Sequence, residues 1–169
     1  DLSADTPLEP MLEGCEIVIH AAGRAHVLRE TSSDPLREFR RVNVSGTMRL
    51  ANAAASAGVR RFVFVSSIGV NGVYSGATVF RESDPAAPQE PYAVSKWEAE
   101  QELKAFAKSR QVELVILRPP IVYGPSAKGN FLQLVNLIHT FAPLPFASVR
   151  NRRSLIFVDN LADAIAACA

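Results

Sequence analysis

The chain has 169 residues, the size of one domain, and its 48% apolar content is enough for a sizeable core. A formal net charge of +1 gives no electrostatic case for nucleic acid. No apolar run reaches the length of a membrane span. Cys15 and Cys168 stand far apart in no metal-ligand spacing, which excludes a disulfide framework and leaves no metal site to expect. That cysteine usage fits a reducing compartment, and no signal peptide is visible, so a cytoplasmic location is the expectation.

Glu16 to His20 is a short apolar run that ends at Ala21-Ala22-Gly23 and reads as a buried strand. Asp34-Pro35 then opens a helix, with Asp as N-cap and Pro at the first helical position. That helix is expected from about Pro35 to Ser56, with Phe39, Val42, Gly46, Leu50 and Ala53 on its apolar face. Arg61 to Ser66 is the next strand, and its continuous apolar character suits a parallel sheet buried on both faces. The Gly- and Pro-containing stretch from Ser67 to Pro91 is long for a plain connection, and such loops often carry function. Tyr92 to Lys108 reads as a helix with Trp97, Ala99, Leu103 and Phe106 available for burial. Val112 to Leu117 is a third strand, stopped by Pro119-Pro120. Helices are expected over Asn130–Phe141 and Asp159–Cys168, with a short strand at Leu155–Val158 between them.

Alternation of apolar strands with helices implies an α/β fold around a parallel sheet. Right-handed crossovers bring the strand C-termini to one edge, where doubly wound sheets hold their ligands. His20, Ser66, Ser67 and Arg118 all follow strands at that edge.

Tyr92 and Lys96 are four apart, hence on one helix face. A lysine ammonium beside a tyrosine favours the phenolate and is expected to lower its pKa. Such a tyrosine can take a proton from an alcohol or give one to a carbonyl. Taken alone, the pair reads more readily as a surface Tyr beside a solvated Lys. The preceding strand end changes that, because a hydroxyl there, as in Ser66-Ser67, can bond a reacting oxygen. Asn43, amid apolar helix residues, either serves that site or is a buried amide satisfied by nearby backbone.

Five segments occur in a telling order: His20-Ala21-Ala22-Gly23, Asn43-Val44-Ser45-Gly46-Thr47, Phe62-Val63-Phe64-Val65-Ser66-Ser67, Pro91-Tyr92-Ala93-Val94-Ser95-Lys96 and Leu117-Arg118-Pro119-Pro120-Ile121-Val122-Tyr123-Gly124-Pro125. In that order and spacing the chain resembles the extended short-chain dehydrogenase/reductases, the NAD-dependent epimerase/dehydratase group. Within the group it is similar to bacterial nucleotide-sugar 4-epimerases and 4-keto-reductases of surface-polysaccharide gene clusters.

The resemblance implies a Rossmann-like, doubly wound parallel sheet. Residues 1–169 would form part of the catalytic domain, with 125–155 contributing to the substrate-binding side. The N-terminal Gly-rich unit and most of the C-terminal substrate lobe would be absent, since no Gly-x-Gly-x-x-Gly turn follows a strand here. It also implies roles. Tyr92 would be the acid/base, Lys96 would bond the nicotinamide ribose and tune Tyr92, Ser67 would be the catalytic serine, and Asn43 would order the site. Asp1 and Leu2 would contact adenine. Ala21, Ala22 and Gly23 would line the cofactor pyrophosphate and ribose, with Ser66 and Pro119 also at the cofactor. Asn130 and Phe131 would border the substrate nucleotide, and Arg153 would face its diphosphate, which suits a guanidinium fork. His20 would be structural. The cofactor would be NAD or NADP, and the partner a nucleotide-sugar of UDP-hexose type. A homodimer through the helices around Asn43 and Tyr92 is the implied assembly. Members often carry Asn where this chain has Ile121. The alternatives are a reductase of steroids, flavonoids or other small carbonyl compounds, which would not need Arg153, and a stretch without activity on its own.

Overall fold

The computed structural model describes residues 7–25, 32–76, 78–125, 130–139 and 152–169. Three strands form a parallel sheet in the order β1 (Ile17–His20), β2 (Arg61–Val65) and β3 (Glu113–Leu117). A second, two-stranded parallel sheet pairs β4 (Ile121–Tyr123) with β5 (Leu155–Phe157). The helices are α1 (Glu9–Leu12), α2 (Pro35–Arg40), α3 (Gly46–Ser56), α4 (Pro91–Arg110), α5 (Asn130–His139) and α6 (Val158–Cys168).

A single core explains the arrangement. Val18 of β1 and Phe62 and Phe64 of β2 meet Ala51, Ala53 and Ala54 of α3, Ala99 and Leu103 of α4, and Leu12 of α1. Small alanines let α3 approach the sheet closely, while the phenylalanines fill the volume between layers. Among the described residues β1 lies at one side of this sheet, and its alternate residues split cleanly. Val18 and His20 face the core, whereas Ile17 and Ile19 are 38% and 48% exposed on the other face. The end of α6 is tied to the start of β2, because the Arg61 guanidinium donates to the carbonyls of Cys168 and Ala169.

The helix expected over 35–56 is present but not uniform. Asp34 caps it through the Arg37 N–H at 3.0 Å, and Pro35 occupies its first turn. Between α2 and α3, Arg41–Ser45 forms a π-helical turn. A π turn carries an extra residue and rotates the helix beyond it. Phe39, Gly46 and Ala53 are buried as expected, and Asn43, Val44, Thr47, Ala51 and Ala54 are buried with them. Val42 and Leu50, expected inside from a constant 3.6-residue period, are only partly buried.

On α4 the expected Trp97 is also only partly buried. Ala99 and Leu103 are buried as expected, and Ala93, Ser95, Lys96 and Glu100 join them on the inner face, two of these charged. Three elements were not anticipated: α1, the 3-10 turn Ile68–Val70, and β4. Pro119-Pro120 does end β3, but the chain resumes at once as β4 in the other sheet. Gly124 closes β4 against α6, since a Cβ there would lie 2.6 Å from Val158 Cγ1.

Candidate active site

The C-terminal ends of β1, β2 and β3 gather the polar residues singled out in the sequence. Beyond β2, the Ser66 N–H donates to the Leu117 carbonyl at 2.7 Å and the Ile68 N–H to the Pro119 carbonyl at 3.0 Å. Ser67 thus lies beside Pro119. Its hydroxyl caps the 3-10 turn by accepting the Gly69 N–H. Gly69 also brings α4 close, because a Cβ built there would meet Ala93 Cβ at 3.3 Å and Ser67 Oγ at 3.4 Å. Ser67 and the residue following Tyr92 therefore flank one point in space.

Tyr92 is partly buried, with its ring edge-to-face against Phe39 at 6.0 Å between centroids. Burial pushes its phenol above the usual value. This corrects the expectation that Lys96 lowers it. The Lys96 ammonium lies 3.9 Å over the centre of the Phe64 ring. Desolvation brings Lys96 down to about 8, partly offset by the Glu100 carboxylate one turn along α4.

Asn43 is fully buried and uses its whole carboxamide. Oδ1 accepts the Arg24 N–H at 2.7 Å, while Nδ2 donates to the Arg24 carbonyl at 3.1 Å and to Ser95 Oγ at 3.0 Å. Ser95 in turn donates to the Tyr92 carbonyl. Asn43 therefore joins the loop after β1 to the first turn of α4. Gly23 is required for this contact, because a Cβ would stand 3.0 Å from Asn43 Oδ1.

His20 is buried at the end of β1. Thr47 has one hydroxyl proton and gives it to the Asn43 carbonyl at 2.7 Å, so it accepts from His20 Nε2 at 2.8 Å. The imidazole therefore carries a proton on Nε2. Burial, and to a lesser extent the Lys96 charge, lowers its pKa to about 4.

Ser66, expected at the cofactor, turns its hydroxyl inward and donates to Glu100 Oε1 at 2.6 Å. Its main chain remains at the sheet edge. Ala21, Ala22 and Gly23 are exposed directly after β1. Arg153 is exposed just before β5, and Arg152 beside it is also exposed. Asp1 and Leu2 lie outside the described residues, as do the side chains of Asn130 and Phe131 and residues 126–129 and 140–151 of the segment 125–155. Among the described residues, no His, Cys, Asp and Glu group is arranged to hold a metal, and no helix is long and apolar enough to cross a membrane.

Glu100 is the residue the sequence pattern did not reveal. It sits four after Lys96 on the inner face of α4, fully buried. It accepts from Arg118 Nε at 2.9 Å and from a terminal nitrogen of the same guanidinium at 2.5 Å. The available signal was a carboxylate at the spacing of that helix's buried positions. The exposed small residues Ala21, Ala22 and Gly23 directly after β1, with the Lys96 ammonium on the neighbouring helix, fit the ribose and phosphate side of a dinucleotide.

A parallel sheet with this edge and the Tyr92–Lys96 helix beside it makes a Rossmann-like arrangement. The model of the NAD-dependent epimerase/dehydratase family matches residues 1–169, and the chain belongs to that family. It is 45% identical over 172 residues to a UDP-glucose 4-epimerase of Vibrio cholerae, a match covering 99% of this chain and 52% of that protein. A UDP-N-acetylglucosamine 4-epimerase from Methanobrevibacter ruminantium, solved in complex with UDP-N-acetylmuramic acid, superposes with a TM-score of 0.85 at 26% identity. That match covers 99% of this chain and 56% of the other. A dTDP-glucose 4,6-dehydratase from Streptomyces venezuelae with NAD bound gives 0.82 at 30% identity, covering 98% and 52%. The chain thus spans about half the length of these relatives.

Proposed function

We propose that the whole protein is an NAD(P)-dependent epimerase or 4-keto-reductase acting at C4 of a nucleotide-sugar of UDP-hexose type. The observation that carries this reading is the meeting of Ser67 and the Tyr92 turn of α4 around Gly69, with the Lys96 ammonium one turn further along that helix, over the Phe64 ring. The 45% likeness to a UDP-glucose 4-epimerase supports the substrate class.

A bound nicotinamide supplies the site that accepts and returns hydride. This chain's residues handle the proton and the geometry. Burial keeps the Tyr92 phenol protonated near neutral pH, the form that donates to a carbonyl oxygen. Running the other way, it takes the alcohol proton, which requires positive charge close to its oxygen. Lys96, which lies over Phe64 in this structure, bonds the cofactor ribose and tunes Tyr92 once the cofactor is in place. Ser67 holds the reacting oxygen, and Asn43 keeps the α4 turn in register with the loop after β1. Ala21, Ala22, Gly23, Ser66 and Pro119 border the cofactor, with Asp1 and Leu2 at its adenine. Asn130 and Phe131 border the sugar nucleotide, and Arg153 binds its diphosphate. A homodimer through α3 and α4 is the expected assembly.

The test is incubation of the full-length protein with UDP-sugars. Epimerised product without net cofactor change supports the epimerase, and stoichiometric NAD(P)H consumption on a 4-keto-sugar supports the reductase. Tyr92→Phe should abolish either by about 100- to 10,000-fold, the range for a lost general acid/base. Turnover of a non-sugar carbonyl that survives Arg153→Ala, with none on sugar nucleotides, would overturn the reading.

A further inference from the structure

A buried polar network runs behind the site. Glu100 accepts from Ser66 Oγ and from the Arg118 guanidinium through both oxygens. Arg118 Nη1 also donates to Asn71 Oδ1 at 3.0 Å. Asn71 donates to the Arg81 carbonyl at 3.0 Å, and the Arg81 N–H bonds the Asp84 carboxylate at 2.8 Å. One carboxylate thus joins the end of β2, the middle of α4, the end of β3 and the loop after the 3-10 turn.

The members of this network are neighbours of the site residues. Ser66 precedes Ser67, Arg118 precedes Pro119, Glu100 is one helical turn from Lys96, and Asn71 ends the turn that Ser67 begins. Glu100 is fully buried and Ser66 and Asn71 nearly so, which keeps these three side chains from a substrate, while Arg118 is 17% exposed. A charge this deep is costly unless its geometry is specified closely, so its retention calls for a role.

We propose that Glu100 is a positioning residue: through its bonds to Ser66 and Arg118 it locks Ser67, Lys96 and Pro119 into one frame and sets the charge one helical turn from the Lys96 ammonium. The proposal deepens the reading above and rests on it for the roles of Ser67 and Lys96. The charged and titratable groups packed around Lys96 are His20 from β1, Glu100 on its own helix and Arg118, which reaches Glu100 from the end of β3. Glu100 and Arg118 have opposite charges, so their removal must move Lys96 in opposite directions. A purely structural role would instead disturb Lys96 alike in both cases.

The experiment tracks the Lys96 resonance in full-length protein carrying 13Cε-labelled lysine, assigned with Lys96→Met and titrated from pH 6 to 11. Glu100→Gln should lower the Lys96 midpoint by about one pH unit, the scale of a nearby charge. Arg118→Gln should raise it. The alkaline limb of the kcat/KM profile should move with the midpoint in each variant. If either single variant fails to fold, the neutral pair Glu100→Gln with Arg118→Gln keeps the shape, and a smaller downward shift is expected from it. An unmoved midpoint, or shifts of the same sign in both single variants, overturns the proposal. Absence of sugar turnover in the wild type would sink the functional reading and leave the titration to judge Glu100 independently.

Discussion

The carboxamide of Asn43 and the hydroxyl of Ser95 meet at 3.0 Å across 52 positions of sequence, and this contact fastens the π turn to the first turn of α4. Asn43 also takes both main-chain groups of Arg24, so one side chain satisfies three partners from two segments. Asn43→Leu, of similar volume, leaves the Arg24 amide and carbonyl and the Ser95 hydroxyl without it. We expect a loss of about 2–4 kcal/mol, because orphaned buried groups cost more than an average hydrogen bond contributes. Urea unfolding measures it. A cost under about 0.5 kcal/mol would mean that the contact holds nothing.

His20 makes stability depend on acidity. Its pKa falls from 6.5 when unfolded to about 4 when folded, so the unfolded chain binds more protons between those values. Stability is then complete above about pH 6.5 and declines as pH drops toward 4. A displacement of that size corresponds to roughly 3 kcal/mol. His20→Gln should remove most of the slope in this window. The comparison of denaturant midpoints at pH 7 and pH 4.5, wild type against variant, reports it directly. Equal slopes would place the acid sensitivity elsewhere.

Much of the fold was legible because it rests on local pattern. The three parallel strands, the Asp34-Pro35 start and the long α4 follow from apolar runs and capping chemistry that neighbours in sequence decide. The π turn was not legible. It changes the helical face by one residue, and the contacts that hold it, Asn43 to Arg24 and Ser95, come from distant segments. The pairing of β4 with β5 was hidden for the same reason, since three-residue strands carry little periodicity. Tyr92, Lys96 and Ser67 stood out through motif order, but their electrostatics did not. Four-residue spacing puts Lys96 on the face of Tyr92, yet the ammonium lies over Phe64. Glu100 reads as an ordinary surface charge until Arg118, eighteen residues on, is seen to cover it.

Lys96 is retained at a cost. Burial holds it near 8 against an ordinary 10.5, so the charged form opposes folding at neutral pH. The unfolded chain binds more protons between about 8 and 10.5, hence wild-type stability should rise with pH across that range. Lys96→Met keeps the apolar stem and removes the charge. It should raise thermal stability at pH 7, by about 1–3 kcal/mol given the displacement and the partly compensating Phe64 contact. It should also eliminate turnover in the full-length protein. Melting curves at pH 7 and pH 10 test the sign, and a variant less stable than wild type at pH 7 would contradict it.

Gly124 sets the distance between the small sheet and α6. A Cβ at that position would fall 2.6 Å from Val158 Cγ1 and 3.2 Å from Val158 Cβ. Neither atom belongs to a flexible chain end, so Gly124→Ala must push β4 away from the start of α6. Overpacking of this kind costs typically 1–3 kcal/mol. Val158 stands five residues after Arg153, across the short strand β5, so the change should also weaken binding of a sugar nucleotide if that arginine holds the diphosphate. Val158→Ala removes the clashing methyl groups, and the double variant should recover most of both losses. The two single variants and the double form a cycle in which the coupling is expected to exceed about 1 kcal/mol. Additive losses would show that Gly124 and Val158 are not in contact and that the β4–α6 junction is spaced by something else.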